Sequence, residues 1–201
     1  MLSLVLGLGN IGERYAKSRH NLGFRVIERL LADHHLPGHL ETAEYSWAVT
    51  QSGSVKVIFA TPKTYMNRSG DAARALLQQN NLEPSGMLVV VDDYYLPLGR
   101  IRIRRCGSDG GHNGLASIIE TLETDLFPRM RLGIGPVPEE IDSAAFVLRD
   151  FDEGELDTVE KMIATASEAV MFTVEHGLEE AMSKYNRNPA WLEPDIPGQA
   201  V

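Results

Sequence analysis

Leu2-Ser3-Leu4-Val5-Leu6-Gly7-Leu8-Gly9-Asn10-Ile11-Gly12 runs directly into Glu13-Arg14-Tyr15-Ala16-Lys17-Ser18-Arg19-His20-Asn21. Leu2–Leu6 reads as a strand, and a glycine-rich turn follows it. The spacing G-x-G-x-x-G invites a dinucleotide-binding reading. That reading needs a helix opening at the third glycine and an acidic residue closing the second strand about 20 positions on. Neither is here. Residues Glu13–Arg19 are polar and mixed, and helical apolar spacing begins only at Leu22, continuing through Phe24, Val26, Ile27, Leu30 and Leu31. Asp33 stands at a suitable distance, but at the end of that helix. The stretch therefore reads as a loop that brings backbone, Asn10 and His20 close together at the carboxyl end of a strand.

Outward from this loop, strands and helices alternate. Leu22–Ala32 reads as a helix. Tyr45–Gln51 and Val55–Ala60 read as strands joined by a Gln51-Ser52-Gly53-Ser54 turn suited to a hairpin. Ser69–Gln79 reads as a helix, Met87–Val91 as a strand covered on both faces, and Arg100–Arg105 as a strand. Asn113–Glu123 is a helix and Arg129–Ile134 a strand. Phe151–His176 and Leu178–Tyr185 are helical, and the proline-bearing tail is irregular. The order predicts an α/β fold: a single domain with a mixed, mostly parallel twisted sheet and helices on both faces. One catalytic domain is expected over 1–188 and an irregular tail over 189–201. Ligands of such sheets gather beyond the carboxyl ends of the strands. Chemistry is thus expected in the loops Gly7–Asn21, Thr61–Ser69, Asp92–Gly99 and Gly107–Asn113.

The 201 residues suffice for one sizeable core, and 43% hydrophobic with 23% charged residues is ordinary for a soluble globular chain. No apolar run approaches a membrane span. The N-terminus lacks the flank and cleavage site of a secretory signal, and the single cysteine, Cys106, excludes an intrachain disulfide, so a cytoplasmic protein is expected. The net charge of −9 argues against a nucleic-acid partner only on average. Between Glu139 and Glu180 stand thirteen acidic and two basic residues, and the rest of the chain carries a net +2.

Imidazole titrates near neutral pH, which makes His20 the candidate base for activating water. His34, His35, His39, His112 and His176 need no such role on their contexts. A carboxylate would orient the base, and Asp92 and Asp93 both follow an apolar strand; the sequence does not choose between them, and either suits a turn. Asn67 can offer an amide to a substrate, or Asn67 or Ser69 can cap the next helix. Gly107–Gly114 can cradle an anion, or Asn113 can cap a helix. In Arg100-Ile101-Arg102-Ile103-Arg104 the arginines share one face, and Arg129 and Arg131 repeat the pattern, which suits a phosphate surface. Strand arginines can equally shield a solvent edge. No metal-ligand motif and no serine-nucleophile motif is present.

Five groups of residues, in order, carry a resemblance. They are Gly7-Leu8-Gly9-Asn10 with Gly12, Tyr15 and Arg19-His20-Asn21-Leu22-Gly23-Phe24; Thr61-Pro62-Lys63-Thr64-Tyr65-Met66-Asn67 with Ser69-Gly70; Asp92 with Leu96-Pro97 and Gly99; Gly110-Gly111-His112-Asn113-Gly114; and Arg131-Leu132-Gly133-Ile134-Gly135. Over roughly Leu2–Tyr185 the chain resembles the bacterial-type peptidyl-tRNA hydrolases. The resemblance implies hydrolysis of the ester between a peptide and the 3′ end of tRNA, freeing tRNA for reuse in translation. It implies His20 as general base and Asp92 as the group that stabilises its working protonation state. Asn10 would distinguish blocked from free amino groups. Tyr15, Tyr65, Met66, Asn67 and Asn113 would line or contact the substrate. By analogy with basic positions of the family, Arg102, Arg104, Arg129 and Arg131 would face tRNA phosphates. No metal or organic cofactor, no membrane and no obligate protein partner is implied, and a monomer is expected. The chain departs from the family at Ile11, which stands for the usual proline, at Ser18, which stands for threonine, and at Tyr94-Tyr95, which stand for a pair that often carries a second acid.

Overall fold

The structure is a computed structural model and describes residues 2–36, 40–52 and 55–192. Within these residues seven strands form one sheet in the order β2-β3-β4-β1-β5-β7-β6. They are β1 (Leu4–Gly7), β2 (Leu40–Glu41), β3 (Tyr45–Ser52), β4 (Val55–Pro62), β5 (Met87–Pro97), β6 (Ile101–Arg104) and β7 (Arg129–Gly135). The central β4, β1, β5 and β7 are parallel, while β2, β3 and β6 pair antiparallel towards the two edges. Among the described residues six helices accompany them: α1 (Leu22–Asp33), α2 (Ser69–Asn80), α3 (Asn113–Leu122), α4 (Ser143–Val147), α5 (Leu156–His176) and α6 (Leu178–Tyr185). The expected single-domain α/β fold is the one observed.

Strand periodicity explains how one run of apolar residues builds two cores. Val5, Leu88 and Val90 point to the face covered by α1, α5 and α6, where they meet Val26, Ile27, Met162 and Val170. Leu4, Leu6, Val89 and Val91 point to the other face and pack with Ala73, Leu76, Leu115 and Ile118 of α2 and α3. Burial on both sides leaves no polar side to these strands, so they read as continuous hydrophobic segments. Gly23 lets α1 lie directly on the sheet. A Cβ there would run into the backbone of Leu8 and Val90. Hence the glycine six residues before Arg29 is a packing requirement, and the helix starts at Leu22, well past the glycine turn.

Several boundaries differ from the sequence expectation. β5 continues to Pro97, because Asp92 and Asp93 still pair with Leu132 and Gly133 of β7, so both aspartates lie inside a strand. The long C-terminal helix starts at Leu156, after a 3₁₀ turn over Glu153–Glu155 closed by the Asp152/Glu155 capping box. β2 and α4 are too short to leave a periodic signal. The expected β3–β4 hairpin is present in its pairing, with the turn residues 53–54 outside the described residues, as is tail segment 193–201. Among the described residues no helix is long and apolar enough to cross a membrane.

Candidate active site

Two short 3₁₀ turns, Glu13–Tyr15 and Arg19–Asn21, bridge β1 and α1. The second holds His20 through its neighbours. The backbone N–H of Arg19 donates to the carbonyl of Arg149 at 2.9 Å. Its buried guanidinium donates two hydrogen bonds to Glu155, at 3.0 and 2.7 Å, and lies 4.5 Å from the ring centres of both Phe146 and Phe151. On the other side Asn21 clamps the glycine turn. Its Oδ1 accepts from the Asn10 N–H at 2.8 Å, and its Nδ2 donates to the Asn10 carbonyl at 3.0 Å. The Asn10 side chain is oriented in turn, since its Oδ1 accepts the backbone N–H of Met66 at 3.1 Å. That N–H can only donate, so the Asn10 amide group keeps its own N–H donors for another partner.

His20 reaches across to β5. Its Nδ1 lies 2.7 Å from Oδ1 of Asp92, and both side chains are almost wholly buried. Burial alone would raise the Asp92 pKa; the two imidazole rings beside it, His20 first and then His112, each with a hydrogen bond to it, outweigh burial and hold the carboxyl well below the usual range. An ionised carboxylate only accepts, so Nδ1 of His20 carries a hydrogen, and in the neutral ring the lone pair is on Nε2. The residues alone left the choice between the two aspartates open, while the resemblance implied Asp92. The strand's pleat makes that choice: Asp92 points to the histidines, and Asp93, one residue on, pairs with Arg131 at 3.0 Å.

His112, which carried no expected role, completes the group. Its Nε2 lies 3.2 Å from the same Asp92 oxygen, and the two imidazole rings are 4.8 Å apart. His112 is also the N-cap of α3, its Nδ1 accepting from the N–H groups of Gly114 and Leu115 at 3.1 and 3.3 Å. The cap therefore belongs to His112 and not to Asn113, whose side chain is exposed. Helix α2 likewise lacks the expected side-chain cap; Ser69 instead donates to the Met66 carbonyl at 2.8 Å. His20, Asp92 and His112 lie close enough together to suggest a metal site. The donor chemistry does not fit one. With Nδ1 of His112 occupied by two N–H donors, its hydrogen stays on Nε2, and no lone pair faces the site.

A cavity of about 250 Å³ opens over this group, lined by His20, Asp92, His112, Asn113, Tyr94 and Arg131 among others. A neighbouring groove of about 320 Å³ is lined by Asn10, Asn21, Phe24 and Thr61. Met66 is buried, and a Cβ on Gly114 would stand 2.6 Å from its sulfur, so that glycine is needed for the approach. Asn67 and Tyr65 are exposed beside Met66, with Tyr65 59% accessible. Tyr15 is half-buried and engaged with Arg14 through its hydroxyl and ring; it does not line the cavity at His20. A larger cavity of about 690 Å³ lies at the amino ends of the parallel strands, near Leu2, Ser85 and Pro128, away from these groups.

The arginine surface is only partly as expected. Ile101 and Ile103 are buried while Arg102 and Arg104 are exposed, as alternation requires. Arg102 faces Arg131, and Arg104 faces Arg129, across the β6–β7 ladder. Arg129 does not face a phosphate, however. It is 1% exposed, and its guanidinium donates to the carbonyls of Asp125, Phe127, Gly107 and Ser108, pinning the glycine loop. A charge so enclosed satisfies itself on backbone oxygens instead. Arg131 is mostly buried and bound to Asp93 and the Ser108 carbonyl.

A family model described as peptidyl-tRNA hydrolase matches residues 4–192. The peptidyl-tRNA hydrolase of Methylacidiphilum infernorum is 44% identical over 181 residues, which are 90% of this chain and 96% of that protein. That of Synechococcus sp. strain JA-3-3Ab is 42% identical over 188 residues, 92% and 83% of the two chains. The crystal structure of the Acinetobacter baumannii peptidyl-tRNA hydrolase superimposes with a TM-score of 0.87 at 29% identity, covering 93% of this chain and 95% of that one.

Proposed function

The chain belongs to the peptidyl-tRNA hydrolase family and hydrolyses peptidyl-tRNA, and on that premise we propose how its own residues perform the reaction. The observation that supports this reading is the buried His20–Asp92 pair, 2.7 Å apart, whose free nitrogen stands at a cavity. Asp92 accepts the Nδ1 hydrogen, which leaves Nε2 of His20 to take a proton from water. The water oxygen attacks the ester carbonyl carbon. The tetrahedral intermediate collapses with cleavage of the bond to the ribose 3′ oxygen. His20, now protonated, returns the proton to that oxygen, so that free tRNA and the peptide acid leave, the acid then losing its proton to solvent. No electron carrier or metal is needed to balance this sequence.

The amide donors surround the same space. Asn10, with its carbonyl end tied to Met66, presents N–H groups that suit the peptide's blocked amino end. Asn113 at the cavity and Asn67 beside Met66 can hold the developing oxyanion or the terminal nucleotide. Tyr65 offers an exposed ring for stacking, and Tyr15 a further surface nearer the glycine turn. Arg102 and Arg104, which carry no ion pair among the described residues, form the phosphate-facing edge, with Arg131 behind them. The catalytic domain then spans 1–188, acting as a cytoplasmic monomer without an obligate protein partner.

The test is turnover of N-acetyl-aminoacyl-tRNA. Wild-type protein is expected to release the blocked amino acid and to act far less on unblocked aminoacyl-tRNA. His20→Ala is expected to lose roughly 10²–10⁴-fold in kcat, the usual worth of a positioned base, with tRNA binding retained. A His20→Ala protein turning over at the wild-type rate removes His20 from the reaction.

A further inference from the structure

His112 occupies an unusual junction, because each of its ring nitrogens meets a partner of opposite character. Nδ1 faces two backbone N–H donors at the start of α3, and Nε2 faces the Asp92 carboxylate. The first pair of contacts requires a bare Nδ1, and the second requires a hydrogen on Nε2. The helix terminus adds partial positive charge at Nδ1, which further disfavours a proton there. Only one form of the ring, neutral with hydrogen on Nε2, satisfies both ends.

We propose that His112 is a positioning residue, locked in this tautomer by the α3 cap, which anchors Asp92 and so keeps His20 with its lone pair on Nε2. Both histidines address the same carboxylate oxygen, Oδ1. Asp92 is 3% exposed, so water is a poor substitute for either ring. Without the His112 hydrogen bond the carboxylate has one anchor in place of two, and its hold on the His20 ring loosens. The helix dipole, the cap and the buried acid thus form one chain of orientation that ends at the reacting nitrogen. Gly114 makes it possible, since a Cβ there would come within 3.0 Å of the His112 ring. This inference rests on His20 being the base.

His112→Asn separates the two duties. Asparagine is among the preferred N-caps, so the cap and α3 are retained, but its amide is too short to reach Asp92. The expected result is unchanged KM, a kcat reduced roughly tenfold, the worth of one hydrogen bond to a charged group, and a thermal stability lowered only by the loss of that one bond. His112→Ala loses cap and anchor together and melts about 2–4 °C lower besides. In ¹⁵N spectra at one mildly alkaline pH, the wild type should show hydrogen on Nδ1 of His20 and on Nε2 of His112, and the Asn variant should show mixed His20 tautomers. Hydrogen on Nδ1 of His112, or an Asn variant with wild-type kcat, overturns the proposal. So does a kcat loss with an unaltered His20 signature, which would place His112 on the substrate. The spectra need no turnover, so failure of the tautomer lock is distinguishable from failure of His20 as base.

Discussion

Replacing Arg19 by alanine tests whether the 3₁₀ turn that carries His20 is held from the C-terminal half of the chain. The guanidinium makes a two-point contact with Glu155 and stacks between Phe146 and Phe151, and its side chain is 5% exposed against 26% for Glu155. Removing one partner of a buried ion pair costs about 3–5 kcal/mol. Glu155 keeps a quarter of its surface in water and also accepts the Asp152 N–H at 2.8 Å, so it is not stranded. The Nε hydrogen of Arg19 meets no acceptor among the described residues, which offsets part of the gain from burial. A cost of about 2–4 kcal/mol remains after both discounts, or roughly 4–16 °C in Tm for a chain of this size. Urea unfolding of Arg19→Ala, Glu155→Gln and the double variant measures it. The single losses should exceed additivity with a coupling of about 1–3 kcal/mol, and kcat of the folded Arg19→Ala protein should fall more than its affinity for tRNA. Arg19→Lys should recover only part, because an ammonium cannot make the two parallel bonds. A coupling energy of zero, or Arg19→Ala with wild-type stability and turnover, refutes the idea that this clamp sets the position of His20.

Other expectations are briefer. Gly23→Ala drives a methyl group into the backbone of Leu8 and Val90, so it should cost at least the ~1–3 kcal/mol of an overpacked core, read by urea unfolding; a variant as stable as wild type would mean that α1 can lift off the sheet freely. Asp92 binds its proton more weakly in the native state than in the unfolded chain, so its contribution is complete above pH ~4 and drains away as the pH falls below that value. Asp92→Asn should therefore flatten the stability profile between pH ~4 and lower values, and equal steepness in both proteins would exclude Asp92 as a source of acid sensitivity. Arg102→Ala and Arg104→Ala should each weaken tRNA binding and lower the slope of log K against log salt by about one. Unchanged slopes would take this edge out of the interface.

Where the side-chain pattern is local, the sequence is informative. Helix α6 has the expected bounds, and α1 and α2 each run one residue beyond theirs. The alternation of Ile101 and Ile103 with Arg102 and Arg104 is borne out by their burial. Pairings across the fold are less visible. Arg129 and Arg131 look equivalent in sequence, yet one is enclosed by four carbonyls and the other bound to Asp93. Nothing within three residues of either indicates which loop returns to cover it.

The strand, the late helix start and the ordered loops at the sheet's carboxyl edge were legible in the amino-acid order, because periodicity and turn chemistry act over a few residues. The same order excluded the cofactor reading of its own first glycines. Read without the resemblance it left Asp92 and Asp93 level, and it gave His112 no role. Those were decided by tertiary structure: the pleat of β5 turns Asp92 inward, and the start of α3 delivers His112 to the same carboxylate oxygen from 20 residues away. A hydrogen bond between a buried acid and two rings depends on the packing of three elements, and no stretch of sequence shorter than the sheet contains it.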